Sequence, residues 1–151
     1  MTANASAFQR DANFVPIVDL GLTASPKEIT YSALTTGAVG TTTLFTVTGV
    51  VAVRVFAVVS GVDLTGSGTL EVGIAGNTAS LLAQVAATAL DVGEIWTDNA
   101  PSTVEALPAI QILAAGTDII QTIATNTVTA GTLTYYCVWT PISTDGDVVV
   151  A

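Results

Sequence analysis

Apolar and polar positions along this chain repeat with a period of two more clearly than with a helical period. The strongest instance runs from Val50 to Ser60. Its odd positions, Val51, Val53, Val55, Ala57 and Val59, form one wholly apolar row, and its even positions carry Ala52, Arg54, Phe56 and Val58. Successive side chains of a strand point to opposite faces, so the odd row predicts a side turned to a core. The even row is also mostly apolar, which a strand with one wetted face does not require. Two readings account for it: a wide sheet crossed by a loop, or a subunit interface on the second face. Thr69 to Ala75 alternates in the same way, with Leu70, Val72 and Ile74 on one side and Thr69, Glu71 and Gly73 on the other.

Further strands are expected at Phe14–Val18, Glu28–Leu34, Thr43–Thr48, Glu94–Trp96, Ala109–Leu113, Thr117–Thr125 and Gly131–Thr140. Pro16 places the first of these at an edge or a strand start. Turn chemistry separates them at Ser25-Pro26, Gly61–Gly68, Asp98–Pro101, Ala115-Gly116 and Thr129–Gly131. Asn77–Leu90 is the one place where a helix fits. Leu81, Leu82, Val85 and Ala89 stand near helical spacing and Asn77 or Thr78 could cap, but a turn fits as well. Residues 1–13 are small, polar and aperiodic and read as a flexible N-terminal arm. Residues 14–151 read as a single domain. Its Val-Val-Val-Ala tail is expected to pack on this chain or a neighbour. About eight short strands with at most one short helix predict an all-β fold: an antiparallel β-sandwich, with the jelly roll as the topology it suggests.

Composition narrows the chemistry. The chain has no histidine, three basic residues (Arg10, Lys27, Arg54), twelve acidic ones and a formal charge of −9. A histidine-based nucleophile site cannot be built, and neither can a histidine-ligated zinc site. Three cations cannot neutralise a run of phosphates, so direct nucleic-acid binding is not expected. The single cysteine, Cys137, excludes an internal disulfide and is expected to be a buried small hydrophobe. The first ten residues lack a signal-peptide pattern, and the longest apolar stretch, Val50–Val59, is too short for a membrane helix. Expression in a cytoplasm, with no membrane partner, is the corresponding expectation.

Few motifs compete with a structural reading. Gly66-Ser-Gly68 lacks the Lys-Ser/Thr and the helix of a phosphate loop. Asp145-Gly-Asp147 is a fragment of a calcium loop without its remaining ligands. No pair of carboxylates stands in a recognisable catalytic setting, so no catalytic residue, metal or cofactor is expected. Arg54 lies in the most apolar segment and must be paired or reach an edge. An ion pair inside the subunit is the favoured reading, and a pair between subunits is the other. Trp96 and Trp139 are expected as core or interface anchors rather than sugar platforms. The candidate interface residues are therefore Arg54, Phe56, Val58, Trp96 and Trp139.

The chain, and especially Ile110-Gln-Ile-Leu-Ala-Ala-Gly-Thr-Asp-Ile119 and Gly131-Thr-Leu-Thr-Tyr-Tyr-Cys-Val-Trp-Thr-Pro-Ile142, resembles small β-sandwich virion proteins of tailed bacteriophages, above all capsid decoration (cement) proteins. That resemblance implies a homotrimer on the capsid surface that clamps neighbouring copies of the major capsid protein. It carries no catalytic motif. A carbohydrate-binding or host-attachment module of a fibre or spike is the alternative.

Overall fold

The computed structural model describes residues 21–151, so the expected arm (1–13) and the expected strand at Phe14–Val18 lie outside the described residues. Thirteen strands follow in chain order: β1 (Leu22–Thr23), β2 (Lys27–Thr30), β3 (Gly40–Thr48), β4 (Val51–Val59), β5 (Thr65–Gly66), β6 (Thr69–Ile74), β7 (Asn77–Ala86), β8 (Ile95–Trp96), β9 (Gln111–Leu113), β10 (Ile119–Ala124), β11 (Val128–Ala130), β12 (Thr132–Pro141) and β13 (Asp147–Val150). A single 3-10 turn at Ala87–Ala89 is the only helical element among the described residues. None of them forms a helix long and apolar enough to cross a membrane.

The strands build an all-β, antiparallel sandwich. One sheet has the order β1-β12-β4-β8, with β2 also on β12 and β9 also on β4, and the facing sheet runs β13-β3-β10-β6-β7. A small ribbon joins β5 to β11. Neighbours in sequence mostly change sheets: β2, β4 and β12 lie in the first, while β3, β6, β7 and β10 lie in the second. The first and last long strands of the first sheet, β2 and β12, are paired directly.

The core follows from the pleat. The odd positions of β4 are buried, and in register with them stand Leu133, Tyr135, Cys137 and Trp139 of β12. The facing sheet contributes Phe45, Val47, Leu70, Val72, Leu82, Ile119 and Ile123. The valine tail is the strand β13 on the edge of β3, with Val148 buried, and Lys27 Nζ donates to the Ala151 carbonyl oxygen at 2.5 Å.

Asn77–Ala86 is a strand, where spacing had left a short helix or a turn. The pairing of β7 with β6 shifts register between Leu70 and Val72 and again between Val72 and Ile74. Each shift inserts extra residues into β7. Leu82 and Val85 therefore both face the core although they are three apart, a spacing that imitates a helix.

One polar cluster crosses the core. Gln121 on β10 is fully buried, and its Oε1 accepts hydrogen bonds from the Tyr31 and Tyr135 hydroxyls. The two hydroxyls are 2.8 Å apart, and Gln121 Nε2 has no partner among the described residues. The cluster links the two sheets at the cost of one orphaned amide. Removing one acceptor strands donors that were satisfied, whereas removing every polar member strands none. Gln121→Leu alone is expected to lower stability by about 1–2 kcal/mol. Adding Tyr31→Phe and Tyr135→Phe should recover most of that loss, read from urea midpoints at constant slope.

Candidate interaction surface

The two outer faces of the sandwich differ in chemistry. On the five-stranded sheet, the in-register positions Thr41, Thr43, Thr122, Thr69 and Glu71 point outward. Glu71 there accepts from Thr78 Oγ1 at 2.5 Å and from Gln84 Nε2 at 3.1 Å. Threonines line this face, and the Oγ1 of Thr122 among them is buried without a hydrogen-bond partner among the described residues.

The outer face of the six-stranded sheet carries the even row of β4. Ala52, Arg54, Phe56 and Val58 are each half-buried, and they stand opposite Thr140, Val138, Tyr136 and Thr134 of β12. The Phe56 and Tyr136 rings stack, with centroids 5.1 Å apart and planes 14° from parallel. On the other side of β4, Ala52 pairs with Ile112 and Val58 with Ile95. The result is an apolar sheet face with one guanidinium set in it. Arg54 Nε is buried and has no hydrogen-bond acceptor among the described residues.

A long loop reaches this face at Ile110, which lies beside Ala52 and Arg54. It runs from β8 to β9, both of which pair with β4, and it presents Val104 (84% exposed), Leu107 and Ile110 to the outside, followed by Ile112 (69% exposed) on β9. The loop is tied to itself: Glu105 accepts from Thr97 Oγ1 at 3.0 Å and from Ser102 Oγ at 2.7 Å, and Ser102 bridges back to Ile95. Loops longer than about 12 residues inside a compact domain are uncommon and usually carry function. Sequence reasoning missed this loop. The available signal was an apolar, Pro-bounded stretch, Pro101–Pro108, that belongs to no strand period.

Of the five candidate interface residues, three come together here: Arg54, Phe56 and Val58. Trp96 and Trp139 do not, and their assignment to an interface is corrected. Trp96 is fully buried and Trp139 is 8% exposed, because both occupy inward positions of their strands. The loop Asp residues are used locally: Asp145 accepts from Ser143 Oγ at 2.6 Å, and Asp147 accepts from the Val148 amide at 2.9 Å. Among the described residues no group of three acidic or cysteine side chains is placed to hold a metal ion. Burial pushes the Cys137 thiol up to about 12, which keeps it in the unreactive thiol form.

The dimple beside Arg54 holds only about 20 Å³, against roughly 300–1,000 Å³ for ligand pockets. A broader depression of about 430 Å³ lies at the end of the threonine face, between Thr43, Ile74 and Ile120. Its single ionisable group is Asp118, whose Oδ1 already accepts from the Val47 amide at 3.0 Å. The chemistry on offer is that of a contact surface. Comparison with protein families, with curated proteins and with solved structures finds no match for this chain.

Proposed function

We propose that this protein is a structural virion subunit, a decoration-type sandwich that seats on the outer surface of a phage capsid and holds the major capsid protein lattice as a homotrimer. The observation that carries this reading is the apolar outer face of the six-stranded sheet, adjoined by Ile110 and Ile112, together with the exposed Val104 and Leu107 of the β8–β9 loop. The strand phrases that resemble decoration proteins, Ile110–Ile119 and Gly131–Ile142, contain β9 and β12, two strands of this sheet. The direct pairing of β2 with β12 and the alternation of strands between sheets support the finer topology of a jelly roll.

Magnitudes favour a repeated target over a single soluble one. Burying what Val104, Leu107, Ile110 and Ile112 leave exposed, about two and a half full side chains, is worth roughly 4–8 kcal/mol at about 1.5–3 kcal/mol per fully buried side chain. Association costs an estimated 4–15 kcal/mol, so one such patch binds weakly by itself. Three patches on a trimer, set against a lattice that repeats, bind far more tightly through effective concentration. The glycan-binding alternative has less support, because neither tryptophan of the chain is available as a sugar platform.

Light scattering over a dilution series should give a concentration-independent trimer mass. Val104→Asp combined with Ile112→Asp should reduce co-sedimentation with capsids by at least about tenfold while leaving the thermal midpoint within about 2 °C, since both side chains are exposed in the free subunit. A stable monomer that binds capsids equally well with and without these substitutions would refute the proposal.

A further inference from the structure

The depression at the end of the threonine face has a volume of about 430 Å³, within the roughly 300–1,000 Å³ range of ligand-sized pockets. It opens where the turn between β6 and β7 and the loop between β9 and β10 meet the start of β10. Both neighbouring ladders are irregular here. β10 shifts register against β3 between Ile119 and Ile120, and β6 shifts against β7 between Val72 and Ile74. Bulges of this kind re-aim side chains and are over-represented beside functional sites. A Cβ built on Gly76 or Gly116 would meet no atom within 4 Å, so both connections leave the mouth open.

The lining selects one kind of occupant. Ile74 and Ile120 supply apolar wall, Thr43 and Thr117 bring hydroxyls, and Asp118 brings the charge. The carboxylate is held in place, because its Oδ1 accepts from the Val47 amide at 3.0 Å. A carboxylate offers about four acceptor sites, so one amide leaves most of its capacity unused. A fitting ligand has an apolar stem for the isoleucines and a cationic head for the carboxylate. A lysine side chain has that build, a flexible alkyl stem that buries along apolar surface and an ammonium with three donors. The carboxylate and the two hydroxyls offer acceptors to those donors. A guanidinium fork suits a carboxylate with both oxygens open, and here the Val47 amide already holds one. Charge complementarity points the same way. The chain carries −9, and its two described cations, Lys27 and Arg54, belong to β2 and β4 of the facing sheet. Lys27 is also engaged with the Ala151 carbonyl oxygen. A partner protein is therefore the fitting source of the cation.

We propose that this depression receives a lysine side chain of a partner protein, its stem against Ile74 and Ile120 and its ammonium on Asp118. The site belongs to the five-stranded sheet, whereas the apolar face belongs to the six-stranded one, so this inference does not rest on the virion reading.

The test follows amide shifts of the isotope-labelled full chain by NMR. The amides of Gly76, Gly116 and Thr117 should move saturably with n-butylammonium, at half-saturation of about 1–10 mM, the range open to a ligand of so few atoms. A terminally capped peptide with one central lysine should bind at least as tightly, and the same peptide with norleucine at least about tenfold more weakly. Asp118→Asn keeps an oxygen for the Val47 amide but removes the charge, and it should weaken both cationic ligands by at least about tenfold. Asp91→Asn changes the net charge equally at the opposite end of the sandwich, where Gly93 bonds to Val59, and should leave the affinity within about twofold. Arg10→Gln should leave it unchanged as well. Equal binding by Asp118→Asn, or by the norleucine peptide, would overturn the proposal. So would a free amine that binds where the lysine peptide does not, because the site would then take a small amine. Tighter binding by Arg10→Gln would overturn it too, since the chain's own cation would then be the occupant.

Discussion

Trp96→Ala is expected to lower stability by about 3–5 kcal/mol. β8 is only two residues long, yet its Trp96 is fully buried. The ring meets Tyr135 of β12 edge-on, with centroids 6.5 Å apart and an interplanar angle of 63°. Its Nε1 donates to the Ala83 carbonyl oxygen of β7 at 3.2 Å, so one side chain bonds the two sheets at their open end. Alanine would leave a cavity and an unpaired carbonyl together. Trp139 provides the control. Its Nε1 is buried and has no partner among the described residues. Trp96→Phe should therefore cost about 1 kcal/mol more than Trp139→Phe, the worth of one hydrogen bond. Urea denaturation followed by circular dichroism measures all three variants. Equal losses for the two phenylalanine variants would show that the Ala83 bond contributes nothing.

Stability is expected to fall steeply above about pH 9. Burial raises the Tyr31 hydroxyl well above its usual value of 10.0 and is opposed in part by its hydrogen bond with Tyr135. Burial, assisted by the charge and the hydrogen bond of Tyr31, raises Tyr135 as well. Burial pushes the Cys137 thiol up to about 12. Each group is protonated in the folded chain at a pH where the unfolded chain has already lost the proton. The unfolded state then binds fewer protons, so stability declines with rising pH. The contribution is intact below the unfolded values, near 8.5 for cysteine and 10 for tyrosine, and is lost as pH climbs toward the raised folded values. Each group adds a slope of up to about 1.4 kcal/mol per pH unit, and three together approach roughly 4 kcal/mol per unit above pH 10. Comparing urea midpoints at pH 8 and pH 10.5 reads this directly. Tyr31→Phe/Tyr135→Phe should remove about two-fifths of the decline across this window, because the cysteine loses its proton first in the unfolded chain and carries the larger share. An unchanged slope in that variant would place the alkaline transition elsewhere.

The burial behind both expectations was only partly legible in sequence. The odd row of β4, the alternation of β6 and the apolar run around Cys137 each predicted a buried side, and each has one. Period two is a local property of a pleated strand, so it survives into the fold unchanged. Asn77–Ala86 was ambiguous because its register shifts place extra residues on one strand only, and that depends on the partner β6. Trp96 and Trp139 were legible as core or interface anchors, with no choice between the two. Whether a large ring meets solvent or the opposite sheet depends on which strands face it. The tie among Tyr31, Gln121 and Tyr135 was not legible at all, since it joins residues 90, 104 and 14 positions apart.

The same division holds for the candidate surface. The even row of β4, with Arg54 among apolar neighbours, could be read directly, because alternation separates the two faces of a single strand. The loop from Thr97 to Ile110 could not, because its apolar residues follow no period. They acquire meaning only when β9 pairs with β4 and sets Ile112 beside Ala52. By itself the sequence determined the strand periods, the absence of histidine and the scarcity of cations, and with them an all-β sandwich poor in reactive groups. Tertiary structure alone decided which of two apolar rows became core, which tryptophans were enclosed and which exposed side chains joined into one surface. Those outcomes depend on contacts between residues far apart in the chain, and no local pattern encodes which partner each strand will meet.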